Sequence, residues 1–177
     1  MSKKYLTFYY PNGQKKSEGF YDEQEPIGDH TSWYEGGSIS YEAIELNESN
    51  FLSTHWYENG QMKSKGVYTE YFESGLWTYW YENGSKKTEG FWRDKDEREG
   101  KWNFWNSSGD LICSGIHNAW QGNGLWIFWD DNGNKIHEQE YINSELLDVW
   151  GHLKAKGCSD ERVEMYKKLI FDTKNQL

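Results

Sequence analysis

The residues with chemical reach are five histidines, two cysteines and a surplus of carboxylates. A zinc site would ask for HExxH or CxxC spacing, with ligands converging on a tetrahedron. His30, His55, His117, His137 and His152 show neither, and Cys113 and Cys158 stand far apart as lone thiols. Nucleophilic catalysis would ask for a Ser or Cys beside a fixed base, or a G-x-S-x-G turn, and a phosphate site for a Gly-rich loop opening a helix. None of these stands out. The carboxylates recur instead: Glu35, Glu58 and Glu82 share one repeated setting, and Glu18, Glu42 and Glu89 another. A catalytic acid is singular, so a repeated glutamate reads as surface habit. The expectation is a non-enzymatic chain with no catalytic residue, metal or cofactor. What remains with recognition value is the aromatic content: 18% of 177 residues, including 11 Trp and 13 Tyr.

That many rings exclude a disordered chain, although the mean hydropathy is -1.02. They fit half-buried strands. The net charge is -10. Residues 1–143 hold 23 acidic and 13 basic residues, while residues 144–177 hold six of each, so the acidity belongs to the first segment. It disfavours docking on nucleic acid or anionic lipid and permits steering toward a basic partner. The start MSKKYLTFYY lacks an apolar signal region, and no run is long enough to span a bilayer. With lone cysteines, this points to the cytoplasm.

The rings are positioned by a repeat. Gly13, Gly37, Gly60, Gly84, Gly109 and Gly133 follow one another at intervals of 23 to 25 residues. Four residues before each comes an aromatic: Tyr9, Trp33, Trp56, Trp80, Trp105, Trp129. Six residues after comes Gly19, Ala43, Gly66, Gly90, Gly115 or Gln139. The Asn-Gly pairs predict hairpins with two-residue type I′ loops. That register puts Trp77 opposite Gly90, Trp102 opposite Gly115 and Leu6 opposite Gly19. A ring over a bare glycine covers exposed backbone. Ser53 opposite Gly66 breaks the rule. Residues 94–99, DKDERE, read as a charged loop tip. The fold expected is mainly β: an elongated single-layer antiparallel sheet of about six hairpins over residues 1–143, with a two-helix cap over 144–177.

Alternation separates two faces. One carries the Tyr9-to-Trp129 ladder with Phe20, Ile44, Val67, Phe91 and Ile116. The other, a tyrosine face, carries Trp77, Tyr79 and Tyr81 with Tyr21, Tyr68, Trp92, His117 and Tyr141. The ladder's expected partners are Lys16, Ser40, Lys63 and Lys87, then Ile112 and Ile136, which want a cover. Helical spacing supplies one: Leu146, Trp150 and Leu153, then Val163, Tyr166 and Ile170, with Ser144 and Ser159 as N-caps and Gly157 as a stop.

The unit YENG, followed by EG and then G-x-W-x-Y/F, resembles the MORN-repeat variant found in bacterial proteins, many of them antitoxins of toxin–antitoxin pairs. The resemblance covers about residues 5–143 and is best over Tyr57–Tyr68 and Gly75–Trp92. The second copy, WYEGGSISYEAIE, and the sixth depart by losing the second glycine. The resemblance implies a sheet-like interaction scaffold without catalytic residues, and a toxin or effector, possibly basic, neutralised by direct binding. The tyrosine face has the composition of a protein-binding surface. Its contact candidates are Tyr34, Tyr57, Tyr68, Trp77, Tyr79, Tyr81 and Trp92. The rival readings are a glycan-binding module through exposed rings and an acidic nucleic-acid mimic. Open sheet edges allow a homodimer.

Overall fold

A computed structural model describes residues 3–23, 25–69, 72–94, 97–118, 121–144 and 147–171. Lys95 and Asp96 of the expected loop tip, and Leu146 of the expected first helix, lie outside them. The chain forms two compact units, Met1–Gly84 and Ser85–Leu177. The first holds β1 (Lys4–Tyr9), β2 (Lys15–Asp22), β3 (Glu25–Trp33), β4 (Ile39–Asn47), β5 (Asn50–Trp56), β6 (Met62–Thr69) and β7 (Glu73–Trp80). The second holds β8 (Lys86–Asp94), β9 (Glu97–Trp105), β10 (Leu111–Asn118), β11 (Gln121–Trp129) and β12 (Lys135–Ser144), then helices α1 (Leu147–Ala155) and α2 (Asp160–Phe171). Within each unit the strands pair antiparallel in chain order. The class is therefore mainly β, tandem hairpins in open sheet with two C-terminal helices.

The turns differ from the expected type. Tyr10 N–H donates to the Gln14 carbonyl at 2.8 Å, and Gly13 N–H to the Tyr10 carbonyl at 2.9 Å. The same pair of bonds recurs at Tyr34/Ser38, Tyr57/Gln61, Asn106/Asp110 and Asp130/Asn134. Positive φ falls on the glycine, +86° at Gly13 and +84° at Gly60, and not on the asparagine before it. A type I′ loop needs both. These are three-residue loops, a type I turn followed by a left-handed glycine. The Asn12 side-chain oxygen accepts the Gln14 N–H, and Asn59 does the same for Gln61, which holds asparagine in the turn without positive φ.

A bulge beside each turn shifts the register by one residue. The ladder pairs are Tyr9 with Lys15, Trp33 with Ile39, Trp56 with Met62, Trp105 with Leu111 and Trp129 with Lys135. This corrects the expected Lys16, Ser40, Lys63, Ile112 and Ile136, each of which lies one residue later. Past the bulge the expected register returns, with Leu6 opposite Gly19 and Trp102 opposite Gly115.

In the second unit the helices pack on the tyrosine face, at Phe128, whereas the expectation placed them over the ladder's Ile112 and Ile136. Trp150, Leu153, Val163, Tyr166 and Ile170 are buried. Trp150 and Tyr166 set ring edges against Phe128 at 6.4 and 5.3 Å between centroids. Ile112 is fully buried and Ile136 half-buried. Ser159 caps α2, its Oγ accepting the Arg162 N–H. Gly157, at φ +86°, ends α1: its N–H reaches the Lys154 carbonyl and the Cys158 N–H reaches that of Leu153, the Schellman arrangement. Ser144 is the last residue of β12, and the expected cap borders residues 145–146, outside the described ones.

Candidate functional site

The tandem joint is where the sequence's chemistry is spent. A Cβ built on Gly66 would stand 2.3 Å from Trp77 Cδ2; on Gly90, 2.1 Å from Trp102; on Gly115, 2.0 Å from Trp126. Each indole therefore lies on the glycine of the preceding copy, and its N–H donates to the next carbonyl: Trp77 to Val67, Trp102 to Phe91, Trp126 to Ile116. Gly19 differs: it stands directly opposite His30, and a built Cβ would meet the His30 Cβ at 2.4 Å and the Asp29 carbonyl at 2.6 Å, and not the ring. The expected pairing put the ring on the glycine that follows it. The register pair exists, but the ring leans the other way. A second glycine two residues before each ring allows this. Gly28, Gly75, Gly100 and Gly124 sit at φ +65° to +73°, and the strand bulges there.

A second tie joins one copy to the next. The hydroxyls of Tyr10, Tyr34 and Tyr57 donate to the carbonyls of Trp33, Trp56 and Trp80 at 2.7–2.8 Å. Asn106 and Asp130 stand in the equivalent positions of the last two copies and instead accept N–H groups within their own turns. The Trp129 carbonyl is met by α2, which offers the Tyr166 hydroxyl at 2.8 Å and an Arg162 N–H at 3.0 Å. Helix α2 thus supplies from outside the repeat the hydroxyl that the preceding copy, with Asn106 in the tyrosine's place, does not bring.

These ties decide the fate of the seven contact candidates. Trp77 is 0%, Tyr79 3% and Trp92 5% exposed. The tyrosine face is the packed face, and these three are corrected to packing residues. The cause is the flat lie of the rings: Trp77 stacks along Tyr79, as Trp102 does on Phe104 and Trp126 on Phe128. The Tyr79 hydroxyl is spent on Glu73 at 2.6 Å. Tyr34 and Tyr57 are half-buried with their hydroxyls engaged, and burial raises both pKa values; Tyr81 is pushed up to about 12 by burial. Tyr68 is half-buried and lines open space in the first unit. Histidines take ring positions. His117 is buried with its ring edge-on to Trp126, and burial, then the Arg98 charge, hold it down to about 3. His55, tilted against Tyr41, is held to about 4 by burial and then Lys63. A buried neutral imidazole is a poor base at neutral pH. The Cys113 thiol is pushed well up by burial.

Open apolar surface lies on the ladder face. In the first unit Ile44 pairs with Leu52 and Leu52 with Val67, giving an in-register row across β4, β5 and β6. Ile44 is 43% and Leu76 58% exposed, and Ile39 and Met62 are exposed beside the turns. In the second unit Phe91, Ile116 and Leu125 are exposed on the same face. The adjoining row carries Glu18 and Glu42, each paired with Thr31. Alternation alone identified both faces but not which one is wet. The signal that could have decided it is the three-part joint, because a ring whose own glycine awaits it is committed to packing.

The family model for the MORN repeat variant matches residues 5–23, 52–70, 73–94 and 123–143. Gly66 and Trp77 lie in adjoining matched segments, whereas Gly19 is matched and His30 is not. A search of curated proteins gave no significant match. Among the described residues no helix is long and apolar enough to cross a membrane.

Proposed function

We propose that the protein is a non-catalytic scaffold that binds another protein across its ladder face, with Ile44, Leu52, Val67 and Leu76 at the centre of the contact in the first unit. The observation that carries this is an in-register aliphatic row, exposed at Ile44 and half-buried at Leu52 and Val67, with the exposed Leu76 on the next strand. Exposed, contiguous apolar surface with polar rows beside it is what protein interfaces are made of. A sheet held by main-chain pairing and flat-lying rings keeps that row rigid, which lowers the ordering cost of binding. The net charge of -10 favours a basic partner. Repeats of this variant are generally found in proteins that mediate binding, and the narrower form of the reading is occlusion of a toxin or effector. Sugar stacking on the tyrosine face loses support, since Trp77, Tyr79 and Trp92 there are buried.

The test starts from the complex isolated from the native cell by a tag on this chain. Ile44→Asp with Leu76→Asp should leave the far-ultraviolet circular dichroism and the melt unchanged and abolish recovery of the partner. Recovery equal to wild type would overturn the ladder-face assignment. If the partner is a toxin, co-expression with wild type restores growth and co-expression with the double variant does not.

A further inference from the structure

Four of the five joints carry the same three residue types: a glycine at positive φ, a ring residue two positions later, and a bare glycine in the preceding copy, which in three of them lies beneath an indole. The exception lies between β4 and β5. Phe51 stands for the first glycine, Ser53 for the ring and Ala43 for the second glycine. All three parts are missing together, and the register runs straight through Ala43 opposite Ser53 where the other joints bulge. The series of rings on the packed face is broken at this place. Beside the break is a groove of ≈ 680 Å³ lined by His30, Tyr41, Ala43, Phe51 and Tyr68. Its charged side carries Glu25, Glu45 and Glu48 against Lys3.

The lining favours one kind of occupant. Tyr41 lies between His30 and His55, ring centroids 5.0 and 4.5 Å apart, both tilted. Together with Phe51 and Tyr68 this presents ring faces and edges, which attract a further flat ring beyond its buried area. The volume is that of a small-molecule site and exceeds a single side chain, leaving room for flanking groups. Three carboxylates against one ammonium, itself 3.7 Å from Glu45, leave the rim net negative and suited to a cation. Elsewhere on this face an indole fills the equivalent place from the chain itself. We propose that the groove receives an aromatic side chain, by preference an indole, from a basic segment of a partner protein, which completes the interrupted ring series from outside. The proposal rests on the protein-binding reading for the class of partner but uses the opposite face of the sheet.

The test uses the full chain labelled with nitrogen-15 and the capped tripeptide Lys-Trp-Lys as probe. Saturable amide shifts are expected within residues 26–30, 41–45 and 51–55, with a Kd on the order of 1 mM or tighter, and weakening by about tenfold or more for Lys-Ala-Lys and for Glu-Trp-Glu. Ala43→Leu, which fills the groove from its floor, should abolish the shifts. So should the triple change Phe51→Gly, Ser53→Trp and Ala43→Gly, which installs the missing joint and should melt no lower than wild type. Free indole binding as tightly as the tripeptide would overturn the basic-segment assignment, and equal binding of Lys-Ala-Lys would overturn the ring. Shifts mapping elsewhere, or unchanged in a folded groove-filled variant, would overturn the site. If both filled variants fail to fold, Glu25→Lys with Glu48→Lys decides, since it should weaken the tripeptide at least as much as Lys-Ala-Lys is weakened. A native partner that stays bound to the groove-filled variant but is lost from Ile44→Asp with Leu76→Asp sinks this proposal and leaves the ladder-face reading standing.

Discussion

Replacing Gly90 by alanine tests the joint at its tightest. The new Cβ would meet Trp102 at 2.1 to 2.4 Å, where a Cβ contact under 3.0 Å is essentially never seen. Trp102 cannot simply swing away, because it is 0% exposed, stacks on Phe104 and holds the Phe91 carbonyl at 3.2 Å. Overpacking of a filled core costs roughly 1–3 kcal/mol, and loss of the indole hydrogen bond adds about 1 kcal/mol. A destabilisation of roughly 2–4 kcal/mol follows, a large share of the ~5–15 kcal/mol available to a domain. The sharper result comes from the second background. With Trp102→Ser the ring is gone, and Gly90 is not at positive φ. Alanine there should then stabilise by about 0.4–1 kcal/mol, by restricting the unfolded chain. Gly90→Ala is thus expected to change sign with its neighbour, and the Ala–Ser pair reproduces two of the three parts of the joint at Ala43 and Ser53. Denaturant titration followed by circular dichroism measures all four proteins of the cycle. Equal effects of Gly90→Ala in the two backgrounds, within about 0.5 kcal/mol, would refute the argument that the ring is what requires glycine.

Other expectations are simpler. His117 stays neutral in the fold down to about pH 3, while in the unfolded chain it takes a proton near 6.5. The unfolded state binds more protons between these values, so stability falls as pH drops through that window. At pH 5 this one residue removes about 2 kcal/mol, and His117→Phe should flatten melts compared at pH 7.5 and 5. Tyr57→Phe removes the hydroxyl from the Trp80 carbonyl and should cost about 1 kcal/mol by denaturant titration. Gly157→Ala forces a side chain into φ +86° at the end of α1 and should cost roughly 1 kcal/mol, with thermal melting as the readout.

The repeat, the hairpins and the helical tail were legible because each is written in local spacing. Asn-Gly located the turns, but the same dipeptide serves a two-residue and a three-residue loop, and the choice moves the ladder partners by one residue. That is why Lys15, and not Lys16, faces Tyr9. Strand alternation put Trp77 and Gly66 on one face. It could not say which neighbour the ring leans upon, since a strand inside a sheet has two. Tyrosines on the packed face looked like contact residues because a hydroxyl suggests water. Here the hydroxyls of Tyr34 and Tyr57 are satisfied by carbonyls 22 and 23 residues away. Tyr166 was recognised as a buried helix position. Its bond to the Trp129 carbonyl depends on how the helix docks, which spacing does not encode.

The ties between copies also set how the chain comes apart. In the first unit the side-chain bonds that join hairpin to hairpin close segments of 20 to 23 residues. A strand released from the Lys4 end frees only its neighbour's carbonyl, so opening can proceed hairpin by hairpin with amide exchange graded along the strands. The second unit is fastened differently. Arg98, buried against Trp102, donates to the Ile170 carbonyl at 2.6 Å across 72 residues. By loop-closure entropy that longer span costs only about 1 kcal/mol more than a 23-residue one. In return, β9 cannot leave without unseating the last turn of α2. Exchange in β9 and α2 should therefore rise together, as one cooperative block, while β1 and β2 open ahead of it.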